Sequence, residues 1–152
     1  MRITIAAVGR IKRSPLSAAF DDYAKRLNWP LTVKEVEEKR PLPAEQLSLA
    51  EGELLLAALP PDAALIALEP RGKEMSSEAF AALLSGFQDE GLRDLAFVIG
   101  GAEGLSDPLL ARARVSLSIG AMIWPHLLVR VMLAEQLFRA QSILTGHPYH
   151  RA

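Results

Sequence analysis

Few residues of this chain have both the type and the spacing for chemistry, and most lie in its last third. Glu135 and Arg139 stand four apart in "MLAEQLFRAQ", one helical turn, where a carboxylate and a guanidinium form either a structural ion pair or a catalytic couple. The closing "TGHPYHRA" gathers Tyr149, His150 and Arg151: an aromatic face, a titratable ring and a guanidinium that fits phosphate. The plain alternative for such a segment is a frayed, silent terminus. His147 and His150 have no third ligand close by, so no metal site is expected. "FVIGGAEGLSD" (Phe97 to Asp107) places Gly100, Gly101 and Gly104 after a β-like run. Glycine weakens strands and helices, so this cluster marks either a ligand approaching the backbone or a tight turn. "SIGAMIWPH" (Ser118 to His126) is a glycine-containing apolar stretch that could wrap an adenine or a thioether, or could be buried core.

The elements that must hold these residues alternate short apolar strands with helical segments. "RITIAAV" (Arg2 to Val8) is the first strand, and Ser14-Pro15 starts a helix through "LSAAFDDYAKRLN". "LTVKEVE" (Leu31 to Glu37) alternates with period two, as expected near a sheet edge. A helix follows in "AEQLSLAEGELLLAAL", then a third strand "ALIALE" (Ala64 to Glu69), with Pro70-Arg71-Gly72 read as a turn. "SSEAFAALLSGFQDE" is a Ser-capped helix, "LAFVIG" a fourth strand, and Ser106 caps the short helix "PLLARA". "VSLS" (Val115 to Ser118) is a fifth strand, and Pro125 starts a last helix through about Leu144. Apolar strands alternating with helices predict an α/β fold whose parallel sheet is covered on both faces. In the last helix Leu128, Leu133, Leu137 and Phe138 point to different sides, so more than one neighbour is expected to bury it, a second subunit among them.

Composition bounds the rest. The 152 residues predict one domain with an ordinary core, and 50% are hydrophobic. The absence of cysteine excludes thiolate ligands and a cysteine nucleophile. No apolar stretch approaches the ~20 residues of a membrane span, so a cytoplasmic protein is expected. The net charge is −1, yet "GRIKR" (Gly9 to Arg13) holds three cations in five residues, either a solvated loop or a phosphate-facing patch. "GGAEG" is not G-x-G-x-x-G and "PRGKEM" lacks the Ser or Thr of a phosphate loop, which disfavours a dinucleotide oxidoreductase.

Taken in order, "ITIAAVG", "LIALEPRGK", "FVIGGAEGLSD", "SLS" and "PHLLVRVMLAEQLFRAQSILTGHPYHR" resemble the RlmH-type methyltransferases, small SPOUT-class enzymes that methylate N3 of a pseudouridine in 23S ribosomal RNA. The resemblance runs nearly end to end and is most specific from Pro125 to Arg151. It implies S-adenosylmethionine as cofactor, a SPOUT fold with a C-terminal trefoil knot, a homodimer, and the large subunit or whole ribosome as substrate. It puts cofactor contacts at Leu68, at Gly100, and along Ile119, Gly120, Ala121, Met122, Ile123 and Trp124, the glycines clearing space for the cofactor. Family members commonly carry threonine where this chain has Ile123, so a backbone contact there survives and a hydroxyl contact does not. The chemistry of methyl transfer to an imide nitrogen, which calls for a base or an anion stabiliser, separately picks His150 and Arg151 for substrate and catalysis, closing over the RNA from the partner subunit, with Glu135 and Arg139 organising them. A non-enzymatic ribosome-associated module of the same fold is the alternative.

Overall fold

The computed structural model describes residues 1–151. Five strands, β1 (Arg2–Val8), β2 (Leu31–Val36), β3 (Ala64–Glu74), β4 (Asp94–Ile99) and β5 (Val115–Ser118), form one sheet in the order β2-β1-β4-β3-β5. All four pairings are parallel. Between them run α1 (Leu16–Ala24), α2 (Ala44–Ala57), α3 (Ser77–Asp89) and α4 (Asp107–Arg112), and α5 (His126–Thr145) closes the chain. Strand residues alternate between two cores. Ile3, Ile5, Phe97, Ile99 and Leu117 pack with α1, α3 and α5, while Ala6, Val8, Ala67 and Val98 pack with α2 and α4. The sheet is thus covered on both faces, as the apolar strands require. β2 lies at an edge and its burial alternates, as its period-two pattern predicts.

Two expected boundaries move. The turn predicted at Pro70-Arg71-Gly72 is instead a bulge inside a longer β3: Leu68 and Lys73 both align with Leu117 of β5. A Cβ on Gly72 would lie 2.6 Å from the Ser116 carbonyl oxygen, so glycine lets the bulged strand close on its neighbour. Helix α1 ends at Ala24 rather than near Asn28. There Gln141 of α5 accepts from the Asn28 N–H (2.6 Å) and donates to the Arg26 carbonyl (3.1 Å), taking backbone groups a longer helix would use.

Helix α5 packs between α1 and α3, which buries Leu133 and Leu137, while Phe138 is covered by Tyr149 and His147 of the tail. Three of the four residues expected to need a further neighbour therefore find cover within one chain; Leu128 stays half-buried. One turn after its start, α5 carries Arg130, which is fully buried. Its guanidinium donates to Glu35 of β2 at 2.5 Å and, more loosely, to the carbonyls of Val8 (3.4 Å) and Gly9 (3.3 Å). Glu35 also accepts from the Ile11 N–H at 2.8 Å. Burial alone would raise the Glu35 carboxyl, but the hydrogen bonds from Arg130 and Ile11 and the charges of Arg130 and Arg10 hold it below its ordinary range.

Removing the buried cation strands Glu35 and two carbonyls. Arg130→Met is expected to lose about 3 kcal/mol in urea unfolding at pH 7. Because the folded Glu35 is depressed, the pair's contribution is full above the ordinary carboxylate range and fades as pH falls through the folded value. The gap between wild type and Arg130→Met should therefore shrink on acidification.

Candidate active site

The connection from β4 through α4 to β5 passes over β3, so the carboxyl ends of β4, β3 and β5 stand side by side. Between the loops that leave them is a cleft of about 320 Å³. Leu68 closes it at β3, Gly100 to Leu105 at β4, and Ile119, Gly120, Met122, Ile123 and Trp124 at β5, with His126 and Val129 contributed by α5. Every cofactor residue expected from the sequence lines this cleft except Ala121, which faces solvent within the same loop. Crevices outside the carboxyl ends of parallel strands are the usual ligand sites of such sheets.

The glycine loop has its own steric reasons. A Cβ on Gly100 would come within 2.8 Å of the Gly104 backbone, and one on Gly101 within 3.0 Å of both Glu51 Oε2 and Val8 Cγ1. The Gly104 N–H donates to the Gly101 carbonyl (3.0 Å), and Gly104 itself has φ +74°, a left-handed conformation. The space beside Gly100 and Gly101 is thus filled by protein, and the cleft lies on the other side of the loop. Glu51 beneath it is buried, and its Oε1 has no hydrogen-bond partner. Burial first, then the charges of Glu103 and Glu38, push its carboxyl above the usual value.

The loop after β5 is anchored at its base and open at its tip. The buried Ser118 hydroxyl accepts from the Gly120 N–H at 3.1 Å and has its one proton within reach of either the Pro70 carbonyl (2.9 Å) or the Gly120 carbonyl (3.0 Å), and Gly120 has φ +128°. Beyond it Met122, Ile123 and Trp124 are 73%, 88% and 39% exposed, so the stretch is no part of the core. His126 follows at the start of α5 with its ring against Gly9. Burial, then the charge of Arg130, push it below its usual value, giving a neutral wall to the cleft.

The second group of expected residues gathers elsewhere. Arg139 donates to Glu135 Oε1 through Nε (3.0 Å) and Nη2 (2.5 Å), and the Tyr149 hydroxyl donates to the same oxygen at 3.0 Å. Tyr149 stacks edge-on against Phe138 at 4.7 Å, with the Arg139 guanidinium 4.9 Å from its ring. Burial, followed by hydrogen bonding to Tyr23 and Glu135, pushes the Tyr149 hydroxyl above its usual value. His150 Nδ1 lies 3.3 Å from Arg139 Nη1, and His150 Nε2 lies 3.0 Å from Glu78 Oε1. A guanidinium only donates, so Nδ1 accepts and Nε2 carries the proton given to Glu78. The tail is therefore docked rather than frayed, and only Arg151 of the expected set points into solvent.

Glu135 and Gln136 border a second, wider concavity of about 640 Å³, walled by Tyr23, Met75, Phe80 and Met132. It meets the cleft at Leu117, Ile119 and Gly120. From Val129, the cleft residue of α5 nearest the cluster, to Glu135 is six residues of helix, about 9 Å at 1.5 Å per residue, and Glu135, Arg139, Tyr149 and His150 do not line the cleft. Within one chain the polar cluster and the cleft do not converge.

The family described as predicted SPOUT methyltransferases matches residues 1–150. The chain belongs to the SPOUT methyltransferase family. Among SPOUT relatives, "Ribosomal RNA large subunit methyltransferase H" of Rhodospirillum centenum is 53% identical over 152 residues, all of both chains. The protein of the same name from Paramagnetospirillum magneticum is 54% identical over 151 residues, 99% of each. A solved structure described as a probable methylase family protein from Haemophilus influenzae Rd KW20 shares the fold at 14% identity, with a TM-score of 0.59, covering 97% of this chain and 67% of that one.

Several residues around the cleft and the polar cluster carry little signal in the sequence. Glu78 holds His150 from 72 positions away, a pairing that carries no local signal. Tyr23 borders the second concavity from α1 for the same reason. His126 was legible as the polar residue after Pro125, and Glu51 was not, because the surrounding "AEGELL" reads as solvated helix.

Glu51 gives a test of the loop's support. Its carboxyl is raised in the fold, so above the unfolded value either a buried charge or proton uptake costs stability. Glu51→Gln should raise the unfolding midpoint at pH 7 to 8, and the gain should vanish as pH falls into the ordinary carboxylate range. Equal stability at both ends of that titration would mean that Glu51 is solvated.

Proposed function

We propose that this chain methylates N3 of a pseudouridine in 23S ribosomal RNA, on the large subunit within the assembled ribosome. S-adenosylmethionine is the donor, and the active form is a cytoplasmic homodimer with the C-terminal trefoil knot of the RlmH-type enzymes. One observation carries the reading: the cleft at the joined ends of β3, β4 and β5, bordered by the residues that the resemblance singles out. The names of relatives about half identical over the full chain support the RNA substrate.

The cleft fits such a cofactor in size and chemistry. Its volume of about 320 Å³ lies within the range of small-molecule sites. Leu68, Ile99, Leu117 and Ile119 offer apolar walls to an adenine and a thioether, and the turn from Gly100 to Gly104 offers backbone polar groups. Ile123 leaves only its backbone for hydrogen bonding, as expected for a site that holds its ligand chiefly by main chain and shape.

S-adenosylmethionine supplies an electrophilic methyl whose bond to sulfur breaks, with its electron pair, as the bond to N3 forms. The protein's part is to place N3 in line with that carbon, to dispose of the imide proton and to steady the anion left behind. Arg151, exposed and always charged, suits a phosphate or the developing anion. Arg139, fixed by Glu135, orients His150 through Nδ1. In the docked tail Nε2 carries its proton and Nδ1 accepts from Arg139, so exchanging Glu78 for substrate offers the developing anion a donor, and taking up the N3 proton requires Nδ1 to leave Arg139. Since the polar cluster does not converge on its own cleft, the tail serves the cleft of the partner. The exposed Met122, Ile123 and Trp124 are the apolar surface that a second copy covers.

Isothermal titration with S-adenosylmethionine, followed by methylation of ribosomes lacking the mark, tests this directly. Binding without methyl transfer would favour an inactive module, and absence of binding would remove the enzyme reading. Arg151→Ala should leave cofactor affinity and folding unchanged and slow methyl transfer by about tenfold to a hundredfold, the worth of one charge-assisted hydrogen bond. Mixed dimers that pair Arg151→Ala with a subunit unable to bind cofactor should keep one working site. Dead mixed dimers would place the tail in its own chain's site.

A further inference from the structure

We propose that the loop from Gly9 to Ser14 is an RNA-phosphate contact of this protein, placed beside the cleft by the buried pair of Arg130 and Glu35. The inference rests on the functional reading above and adds to it a surface that neither the cleft nor the tail supplies.

The loop follows β1, and all strands are parallel, so it emerges at the same edge of the sheet as the cleft. β1 is the neighbour of β4, which carries the glycine turn, and Gly9 abuts the ring of His126, which lines the cleft. Arg10, Lys12 and Arg13 are all exposed. Arg10 has one loose partner, Glu37 at 3.5 Å, and among the described residues Lys12 and Arg13 have no ion-pair partner.

A solvated loop with three like charges is normally mobile, but this one is held. The Gly9 N–H donates to the Val36 carbonyl at 3.0 Å, and the Ile11 N–H to Glu35 at 2.8 Å. The Ile11 side chain is buried between its charged neighbours, and the Ser14 N–H donates back to the Ile11 carbonyl at 2.8 Å. Gly9 adopts φ +93°, with His126 Cε1 only 3.0 Å from where a Cβ would sit, so the turn into the loop is specific to glycine. Arg130 ties the Gly9 carbonyl and Glu35 to α5. Cations presented from a fixed backbone lose little entropy on meeting phosphate, and each phosphate they neutralise releases counterions. In a chain of net charge −1 such local clustering supplies what the whole molecule does not.

The test compares two double variants of equal charge change. Lys12→Gln with Arg13→Gln alters the loop, while Arg93→Gln with Arg112→Gln alters exposed cations just ahead of β4 and β5, at the opposite edge. Binding to purified large subunits and ribosomes is measured from about 50 to 200 mM salt, with thermal melting and cofactor titration on each protein. The loop variant should bind ribosomes on the order of tenfold more weakly for each cation removed, with the slope of log affinity against log salt reduced by about two. Its cofactor affinity and melting temperature should match the wild type, and the opposite-edge variant should bind ribosomes normally. Equal weakening in both variants would reduce the effect to net charge and overturn the proposal, as would wild-type affinity and salt slope in the loop variant. Failure of the functional reading shows separately, as a wild type that binds no S-adenosylmethionine and methylates no ribosome.

Discussion

The contact between Arg130 and Glu35 is the constraint on which the arrangement depends. A guanidinium with no solvent exposure is tolerated only if its charge is met; here Glu35 of β2 meets it, and the carbonyls of Val8 and Gly9 accept from Nη2, leaving Nε without a partner. One side chain thereby fixes the start of α5 against the carboxyl edge of the sheet. That placement sets His126 at the cleft, where the loop after β5 ends, and α5 continues between α1 and α3. The pair is 95 residues apart in sequence, so it forms only when the whole edge is assembled.

The glycine turn shows how packing and function share one segment. Its glycines are needed by the protein's own atoms: by Gly104 for Gly100, and by Glu51 and Val8 for Gly101. A turn folded this tightly leaves its outer side free, and that side is the wall of the cleft. Steric demand within and ligand approach without are therefore compatible readings of the same three residues. The raised, unpartnered carboxyl of Glu51 is the cost borne beneath it.

The strands were legible because continuous apolar runs have few other solutions, and β1 and β5 fall where those runs predict. The bulge in β3 was not, since Pro70 and Gly72 signal a turn locally and only the register with β5 converts it. Helix α5 announced burial on several sides, but sequence could not say that α1, α3 and the tail supply most of the cover. The cleft residues were legible as a set, through glycine and apolar patterning and a family resemblance, because they sit at three strand ends. Glu78 and Glu51 act through contacts far along the chain, and nothing in their surroundings marks them.

The central claim is that the cleft at the ends of β3, β4 and β5 holds the methyl donor, while the polar cluster of α5 and the tail acts from outside it. Hydrogen exchange with and without saturating S-adenosylmethionine separates the two regions. The account predicts strong added protection at residues 100–105 and 119–124, with little change in the backbone from 74 to 80 and from 131 to 136. Protection concentrated in those latter segments, with the glycine turn unchanged, would put the donor in the wider concavity and contradict it.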